Sequence, residues 1–346
     1  MAADENDYLM KDFKDYSLKA HNTFGIDVKC KRFLEYENDS EAFEVAKILR
    51  KSKLPYIIIG GGSNLLLTKD FEGIVVHSGI KGYYFEEDDF CERMTCGSGE
   101  TWDDMVAASI EAGYYGMENL SLIPGDVGAS AVQNIGAYGV EAKDLILSVW
   151  MVEIPTGEIR MLGNEECEYG YRQSRFKQDW KNRFLITRVT YGLSKTFTPH
   201  LDYGNIRAEL ERKGIERPTA QQVRDTIIEI REAKLPDPKV TGNAGSFFMN
   251  PIVSREKYES LAQQYEGMPH YEVDAEHVKI PAGWMIDQCG WKGKSLGRAG
   301  VHAKQALVLV NLGGATGAEI VTLCETIRAD VKAKFGIEIY PEVNIF

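Results

Sequence analysis

A glycine-rich loop follows the apolar run Tyr56–Ile59 and has the residue types of a phosphate-binding loop. The run leads into three glycines and two polar residues, in the order Gly60, Gly61, Gly62, Ser63 and Asn64. Glycine lets the backbone approach a ligand and adopt φ values that other residues avoid, so main-chain N–H groups can point at a phosphate. The loop has neither G-x-x-x-x-G-K-[ST] nor G-x-G-x-x-G, the common nucleotide-binding patterns. A tight turn without a ligand explains this loop alone equally well.

A second glycine-rich stretch lies about sixty residues further on, from Ser121 to Gly139. It consists almost entirely of small or apolar residues and has few charges. Taken alone, it is typical of a buried helix start that packs closely on a sheet. Two such loops, each after strand-like sequence, favour a long ligand that is held from two sides.

The elements that would position these loops indicate an α+β fold with short strands and intervening helices. The β-branched runs predict strands at Tyr56–Ile59, Gly73–His77, Ile146–Ile154 and Phe184–Tyr191. A helix is predicted from Thr101 to Ala112, with Thr101 as N-cap, Asp104 at the capping-box spacing and Gly113 as its end. The segment from Phe197 to Glu216 is predicted to be an irregular connection.

Two helices are predicted in the remainder of the chain. One begins at Thr219, carries Val223, Ile227 and Ile230 on one face, and ends before Pro236. The other runs from Thr316 to Phe335, with a Thr316–Glu319 capping box and Gly336 as its end. Ile337–Tyr340 then has the pattern of a strand.

Composition indicates an ordinary cytoplasmic enzyme. The 346 residues suffice for two or three domains, and the net charge of −12 argues against nucleic acid and anionic membrane as partners. No run approaches the length of a membrane span, and the first fifteen residues are acidic and polar rather than signal-like. The six cysteines contain no C-x-x-C and favour scattered reduced thiols, with no metal site: Cys30, Cys91, Cys96, Cys167, Cys289 and Cys324.

Several motifs occur in a fixed order from Asn22 to the C-terminus, and together they are far more specific than any one of them. They are Asn22-Thr23-Phe24-Gly25, the GGGSN loop, IPGDVGASAVQNIGAYG, Tyr171-Arg172-Gln173-Ser174-Arg175-Phe176-Lys177, Gly242-Asn243-Ala244-Gly245-Ser246-Phe247-Phe248 and Tyr340-Pro341-Glu342-Val343. In this the chain resembles the UDP-N-acetylenolpyruvoylglucosamine reductases, flavoenzymes of peptidoglycan synthesis. The resemblance implies reduction of UDP-N-acetylglucosamine enolpyruvate to UDP-N-acetylmuramate with NADPH as hydride donor.

The resemblance also implies the domain organisation and the cofactor. We expect an N-terminal extension (1–21), a FAD-binding domain of vanillyl-alcohol-oxidase (PCMH) type (22–195), a connecting loop and helix (196–233) and a C-terminal α+β substrate-binding domain (234–346). FAD is expected to bind without a covalent bond. The residues expected to contact it are Gly60, Gly61, Gly62, Ser63, Asn64, Pro124, Gly125, Gly128, Ala129, Asn134, Gly136, Ala137 and Tyr138.

Three residues match the catalytic positions of this family. Arg172 is expected to bind the substrate carboxylate, because a guanidinium forms two parallel charge-assisted hydrogen bonds with it. Ser246 is expected to donate a proton to carbon, and Glu342 to share a proton with the developing enediolate. Without the motifs, Arg172 is typical of a surface ion pair, Ser246 of a tight turn and Glu342 of a solvated carboxylate.

The substrate-binding positions also follow from the resemblance. They are Tyr171, Tyr203 in a substrate-covering loop of the longer type of this family, Lys234, Asn250, Tyr271 and Lys292. The basic residues Lys234, Lys292, Lys294 and Arg298 can form a pocket for an anionic substrate, although lysine is mostly exposed to solvent. Met249 stands where many relatives have lysine, and Asn344 stands where some have arginine. These departures concern peripheral contacts rather than the reaction.

Three other functions remain as alternatives. A flavin oxidase on the same scaffold often tethers its flavin through histidine or cysteine, and neither occurs from Gly60 to Asp70. A non-catalytic UDP-sugar-binding protein without flavin is disfavoured by the intact glycine loops. A Ser-His-Asp hydrolase is disfavoured because none of the six histidines lies in a motif that supplies a base for Ser246.

Overall fold

The computed structural model describes residues 10–88 and 92–346, so that Cys91 and the first nine residues lie outside the described part. Two compact units divide the chain. Unit 1 contains the described residues of Met1–Tyr16, Cys30–Gly61 and Phe71–Ala233, and unit 2 contains Ser17–Lys29, Gly62–Asp70 and Lys234–Phe346. Each unit therefore takes in segments that are distant in sequence.

Short strands and helices alternate along the described residues. The strands are β1 (Lys11–Ser17), β2 (Lys29–Tyr36), β3 (Tyr56–Ile59), β4 (Leu65–Leu66), β5 (Phe71–Ser78), β6 (Tyr83–Glu87), β7 (Glu92–Gly97), β8 (Gly136–Ala137), β9 (Val140–Glu141), β10 (Ile146–Glu153), β11 (Ile159–Gly163), β12 (Phe184–Leu193), β13 (Gly242–Ser246), β14 (Ile252–Ser254), β15 (Tyr271–Glu272), β16 (His277–Lys279), β17 (Ser295–Leu296), β18 (Ala299–Val301), β19 (Val308–Asn311) and β20 (Asn344–Ile345). The α-helices are α1 (Asp39–Lys51), α2 (Trp102–Glu111), α3 (Val127–Gln133), α4 (Ile206–Arg212), α5 (Ala220–Lys234), α6 (Arg255–Ala262), α7 (Ala282–Gln288) and α8 (Gly317–Phe335).

Unit 1 contains two sheets. The first has the order β1-β2-β5-β3, and β5 pairs in parallel with both β2 and β3. Helix α1 packs on this sheet because Ala42, Val45, Ala46 and Leu49 form one buried stripe. The Asn38 side chain caps the helix by accepting the Glu41 N–H at 2.9 Å. The first glycine loop begins directly after β3, at the carboxyl ends of the parallel strands β2, β5 and β3.

The second sheet of unit 1 is antiparallel, with the order β11-β10-β12-β7-β6. Helices α2 and α3 share one buried core with it, in which Trp102, Val149 and Val189 are almost wholly inaccessible to solvent. All four predicted strands are confirmed as β3 and as parts of β5, β10 and β12. The sheets thereby fix the positions from which both glycine-rich stretches start.

Helix α2 confirms the helix predicted after Thr101, but the predicted capping contact is wrong. Thr101 is the N-cap residue, yet its side chain forms no capping hydrogen bond. Its backbone instead pairs with Asp126 in an isolated antiparallel bridge, and the Trp102 N–H donates to the Gly125 carbonyl oxygen at 2.9 Å. The second glycine-rich stretch thus satisfies the first backbone donor of α2.

The predicted irregular connection from Phe197 to Glu216 is corrected in part. It contains the two-turn helix α4, in which Ile206 and Leu210 are buried against Val223 and Ile227 of α5. The two apolar residues are four positions apart, the helical spacing, but they are too few to give a periodic signal. Helix α5 itself confirms the predicted helix and its apolar stripe.

Unit 2 contains a four-stranded sheet of order β13-β19-β18-β17, a three-stranded sheet of order β14-β16-β15, and the parallel pair β4–β20. Helix α8 confirms the predicted capping box, because Thr316 accepts the Glu319 N–H while Glu319 accepts the Thr316 N–H, and Gly336 ends it in the left-handed conformation. None of the described helices is long and apolar enough to span a membrane.

The predicted strand at Ile337–Tyr340 is wrong. Ile337 and Ile339 are buried, as the alternating pattern requires, but the segment belongs to no strand. The carbonyl oxygen of Ile339 accepts a hydrogen bond from Arg328 Nε at 2.8 Å. The Arg328 side chain therefore bonds a carbonyl oxygen that a neighbouring strand would need as its acceptor.

Five cysteines lie in the described part, and none of them is in a disulfide: Cys30, Cys96, Cys167, Cys289 and Cys324. Burial raises the pKa of each thiol. A raised pKa disfavours the reactive thiolate, so these residues act as small apolar side chains.

Candidate active site

The two glycine-rich stretches meet within unit 1. A Cβ atom added to Gly61 would lie 2.9 Å from Asp126 Oδ1 and 3.4 Å from Gly125 Cα. A Cβ atom added to Gly60 would lie 3.0 Å from Ala129 Cβ. The backbone at Gly60 and Gly61 therefore approaches the second stretch so closely that a side chain has no room. A backbone without side chains can approach a phosphate closely, so the residue types at this meeting point are compatible with FAD.

The third glycine of the loop has a different physical role. Among the three, Gly62 alone has a positive φ, of +69°. A Cβ atom there would lie 2.0 Å from the His21 carbonyl oxygen, and the Thr23 N–H donates to the Gly62 carbonyl at 3.1 Å. The first loop thus packs, in unit 2, on the segment that carries the Asn22–Gly25 motif. Conformational freedom and space both matter at Gly62, whereas only space matters at Gly60 and Gly61.

Helix α3 rises from the second stretch and ends at Asn134. Gly128 permits close packing, because a Cβ atom there would lie 2.9 Å from Ser98 Cβ. Asn134 is fully buried in the left-handed conformation, and its side-chain amide donates to Glu141 at 3.0 Å and to the Gly170 carbonyl at 2.8 Å. Its side-chain oxygen accepts the Lys143 N–H at 2.9 Å. The side chain of Asn134 therefore joins the end of α3 to Glu141, Lys143 and Gly170.

Arg172 lies next to the second stretch. It is a central residue of a tight turn, with a φ of +55°, between Gly170 and Gln173, which exchange both backbone hydrogen bonds. Its Nη2 donates to the Gly136 carbonyl at 2.7 Å, and its Nη1 to the Asn134 carbonyl at 3.4 Å. These contacts hold the guanidinium of a catalytic candidate against two cofactor candidates within unit 1.

Two tyrosines and a half-buried arginine lie near the end of the second stretch. Tyr203 is 48% exposed and borders Gly139, while the Tyr138 ring borders Gly204. Burial raises the pKa of Tyr138, and the charge of the nearby Arg231 opposes this shift. Burial lowers the pKa of Arg231, whose Nε is buried and has no hydrogen-bond partner among the described residues.

Arg231 was missed by sequence reasoning. The signal was present, because Arg231 follows Ile227 by four residues on the buried side of α5. A basic residue at such a position of an apolar stripe is a functional candidate. The other residues missed are His77, Glu35 and Asp126, which form a cluster described below.

Ser246 ends strand β13 in unit 2 and is exposed. The strand is irregular between Asn243 and Ser246, where Gly245 has a φ of +66°. Asn243 is buried, and its side-chain oxygen accepts the Gly245 N–H at 2.9 Å. This local turn determines the direction of the backbone at Ser246.

Backbone hydrogen bonds place the Glu342 segment beside the residues that follow Ser246. The Glu342 N–H donates to the Phe247 carbonyl at 2.8 Å, and the Met249 N–H donates to the Tyr340 carbonyl at 3.0 Å. Two of the three catalytic candidates are therefore neighbours in unit 2, whereas Arg172 belongs to unit 1.

Asn64 joins the same region of unit 2. Its side-chain amide contacts the Glu342 carbonyl oxygen at 3.5 Å, and its own carbonyl accepts the Asn344 N–H at 3.1 Å. The parallel pair β4–β20 continues this contact. The end of the first glycine loop is thereby attached to the segment that carries Glu342. Asn344, one of the two departures from the family pattern, contributes to this attachment.

The remaining substrate-binding candidates are spread over unit 1 and unit 2. Tyr171 in unit 1 and Tyr271 in unit 2 are exposed, and so is Lys234, the last residue of α5. The Asn250 side chain accepts the Ala282 N–H at 2.9 Å, and Lys292 Nζ lies 3.5 Å from Asp287.

One of the four residues of the predicted basic pocket forms an ion pair with a helix-capping residue. Arg298 forms two hydrogen bonds with Glu319, at 3.1 and 2.8 Å. Glu319 is the capping-box residue of α8, and the bond from Arg298 holds its pKa at about 2. The Arg298 side chain is 56% exposed, so this pair lies at the surface, and the basic pocket stays a prediction.

Matches to two family domains, and relatives that are similar over almost their full length, decide the classification. Residues 31–163 match the FAD binding domain, and residues 237–346 match the UDP-N-acetylenolpyruvoylglucosamine reductase C-terminal domain. A reductase of that name from Bacteroides fragilis (strain YCH46) is 56% identical over 95% of this chain and 98% of its own length. One from Pseudomonas putida is 45% identical over 95% and 97%. The chain belongs to the UDP-N-acetylenolpyruvoylglucosamine reductase family.

Solved structures agree on the fold. The reductase from Thermus caldophilus has a TM-score of 0.66 at 21% identity and covers 98% of this chain and 99% of its own. A solvent-stable cholesterol oxidase has a TM-score of 0.51 at 12% identity, covering 98% and 88%. The predicted α+β fold, a PCMH-type FAD-binding domain followed by the reductase C-terminal domain, is confirmed. Like its family, this chain is an FAD-dependent oxidoreductase.

Proposed function

We infer that this reductase converts UDP-N-acetylglucosamine enolpyruvate to UDP-N-acetylmuramate, with FAD as cofactor and NADPH as hydride donor. The observation that carries this inference is the match of residues 237–346 to the UDP-N-acetylenolpyruvoylglucosamine reductase C-terminal domain, together with full-length relatives of that name. The close approach of the two glycine-rich stretches, where a Cβ atom on Gly61 would lie 2.9 Å from Asp126, supports the place of the cofactor. FAD, when bound, supplies the hydride-transfer chemistry of the reaction. The cofactor candidates from Gly60 to Tyr138 are proposed to hold it non-covalently.

Arg172 is proposed to bind the substrate carboxylate. Reduction of the enol ether at its terminal vinyl carbon drives negative charge onto that carboxylate, and a fixed cation stabilises this charge most where water is excluded. The Arg172 guanidinium is oriented in advance by the carbonyls of Gly136 and Asn134. Little reorganisation is then needed as the charge develops.

Ser246 and Glu342 are proposed to supply and share the proton that the intermediate takes up. The enediolate-like intermediate is basic enough to take a proton at carbon from a well-placed hydroxyl, and the exposed Ser246 is available for this role. Glu342, beside a substrate carboxylate, would have its ionised form disfavoured by the like charge and would share a proton with the intermediate. The backbone bond from Glu342 to Phe247 supports a joint action of the two residues.

The UDP-sugar is proposed to bind through Tyr171, Tyr203, Lys234, Asn250, Tyr271 and Lys292. Exposed tyrosine and lysine side chains suit a ligand with a charged diphosphate and a sugar, since they supply donors and flat apolar surfaces. The same proposal includes placement in the cytoplasm and a role in cell-wall synthesis, cell shape and cell division. It also includes the domain boundaries at 21/22, 195/196 and 233/234.

Product analysis tests the function directly. Purified protein, NADPH and UDP-N-acetylglucosamine enolpyruvate should give a product with two more hydrogen atoms, detected by mass spectrometry. Unchanged substrate, together with oxygen-dependent NADPH consumption, would instead support the oxidase alternative. A protein purified without flavin that still binds the UDP-sugar would support the non-catalytic one.

Two binding variants should separate substrate contacts from flavin reduction. Tyr203→Phe and Lys234→Ala should each weaken substrate binding about 10- to 150-fold, since a lost hydrogen bond to a charged group costs roughly 1.5–3 kcal/mol. Reduction of the flavin by NADPH should change much less. Substrate affinity is measured by titration monitored through flavin absorbance.

Matched variants control for the loss of an exposed side chain. Tyr84→Phe and Lys239→Ala alter exposed residues of the same types outside the proposed site. They should bind substrate as the wild type does. Normal substrate affinity in both Tyr203→Phe and Lys234→Ala would refute the placement of these two residues.

A further inference from the structure

A buried charged cluster lies at the carboxyl end of β5, beside the first glycine loop. His77 is the cross-strand partner of Glu35 on β2 and of Ile59 on β3, the residue before Gly60. Its Nδ1–H donates to Glu35 Oε2 at 2.8 Å, and its Nε2–H donates to Asp126 Oδ2 at 3.2 Å. The side chains of His77, Glu35 and Asp126 are 15%, 12% and 16% exposed.

The geometry requires a charged imidazole. A neutral ring has one donor and one acceptor nitrogen, so a neutral His77 would turn a lone pair toward one of the two carboxylates. Burial lowers the pKa of His77, but the bonds and charges of Asp126 and Glu35 outweigh burial and raise it to about 9. The hydrogen bond from His77 in turn holds the pKa of Glu35 at about 2.

Asp126 connects this cluster to the cradle. It is the N-cap residue of α3 in the second glycine-rich stretch. Its carboxylate borders both glycines of the first loop, as the distances of 2.9 Å to a Cβ atom on Gly61 and 3.4 Å to one on Gly60 show. An uncompensated carboxylate at this position would repel a phosphate.

We propose that His77 is a positioning residue for the cofactor site, which neutralises Asp126 and holds it against Gly60 and Gly61 so that the anionic diphosphate of FAD can enter. This inference rests on the proposed placement of the diphosphate at the two glycine-rich stretches. His77 acts through Asp126 and does not itself contact the ligand.

The charged groups that surround His77 come from three elements and one loop. Lys11 of β1 donates to Glu35 at 2.6 Å and pairs with Glu37 at 2.7 Å, and these bonds raise its pKa further above the ordinary value. Glu35 lies on β2, and Asp126 is the N-cap residue of α3. Phe33, also on β2, stacks on His77 with the two ring centroids 6.3 Å apart. As pH rises, His77 is therefore the cation of this cluster that loses its charge first.

The sign of the pH effect follows. The folded-state pKa of His77 is raised, so its stabilising contribution is complete below about 6.5, the ordinary histidine value, and is lost as pH rises through about 9. The affinity of the wild-type apoprotein for FAD should therefore stay constant up to about pH 8 and fall as pH rises through about 9. This measurement needs no variant and so does not depend on whether a variant folds.

Substitution gives the second arm of the test. His77→Gln should weaken FAD binding about ten- to hundredfold at pH 7, measured by quenching of flavin fluorescence on titration with apoprotein. The fall in affinity at high pH should disappear in this variant. Adding Asp126→Asn should restore the affinity to within about threefold of the wild type, because the repelling charge is then gone. A purely structural role for His77 gives no such rescue.

A matched histidine and a loop variant complete the design. His277→Gln removes an exposed histidine that pairs with Asp274 at 2.9 Å in unit 2, and it should leave FAD affinity unchanged. Wild-type affinity in His77→Gln, a loss that Asp126→Asn does not relieve, or a flat wild-type pH profile would overturn the proposal. If Gly61→Val binds FAD normally, the placement of the diphosphate itself is wrong. If Gly61→Val loses FAD while His77→Gln does not, only the role of His77 is wrong.

Discussion

Ser246→Ala should separate the two half-reactions of the enzyme. Oxidation of NADPH needs no acid on the substrate side, so reduction of the flavin should proceed at the wild-type rate. Reoxidation by the enolpyruvyl substrate requires a proton at carbon, and general acid catalysis contributes on the order of 10²–10⁴-fold. Single-turnover reoxidation, followed through flavin absorbance, should slow by at least about 100-fold.

The variant should fold normally. Ser246 is exposed at the end of β13, and one hydroxyl is worth only about 1 kcal/mol. Ser260→Ala, at an exposed position of α6 in the same unit, is the matched control and should leave both half-reactions unchanged. Reoxidation within about threefold of wild type would exclude Ser246 as the proton donor. Loss of flavin reduction by NADPH would show instead that the serine supports the cofactor.

Gly61→Val should abolish flavin retention. The Cβ atom alone would lie 2.9 Å from Asp126 Oδ1 and 3.4 Å from Gly125 Cα, and valine adds two methyl groups. Overpacking costs roughly 1–3 kcal/mol, and a lost hydrogen bond to a phosphate roughly 1.5–3 kcal/mol more. FAD affinity should therefore fall by about 100-fold or more. The ratio of flavin absorbance to protein absorbance after gel filtration measures this loss.

Gly163→Val is the matched control for the glycine substitution. A Cβ atom there meets only the carboxylate end of Glu166, at 3.7 Å, and valine suits strand β11. This variant should retain its flavin. A Gly61→Val protein with a full complement of FAD would show that the cofactor loop lies elsewhere.

Local signals in the sequence predicted much of the fold. The β-branched runs located β3, β5, β10 and β12, and the Thr316–Glu319 capping box and Gly336 located α8. Such signals involve residues close in sequence, whose effect depends little on the rest of the chain.

Errors arose where distant residues supply the decisive contact. Thr101 does not cap α2 with its side chain, because the second glycine-rich stretch bonds the start of that helix. Ile337–Tyr340 is not a strand, because the Arg328 side chain takes the carbonyl of Ile339. Propensity cannot anticipate either contact.

The site was predictable in part for the same reason. The order of the motifs indicated the candidate residues, and the types of these residues indicated the chemistry. The pairing of the Glu342 and Phe247 backbones joins residues 95 positions apart in the sequence, and no local pattern indicates it. The contact between His77 and Asp126 likewise crosses 49 positions and depends on how α3 meets the parallel sheet.

Anaerobic flavin absorbance tests the central claim most directly. Purified protein is first mixed with NADPH in the absence of oxygen, and the yellow absorbance should bleach. UDP-N-acetylglucosamine enolpyruvate is then added, still without oxygen, and the absorbance should return as UDP-N-acetylmuramate forms. Absorbance that stays bleached with this substrate and returns only with oxygen would contradict the assignment as a reductase.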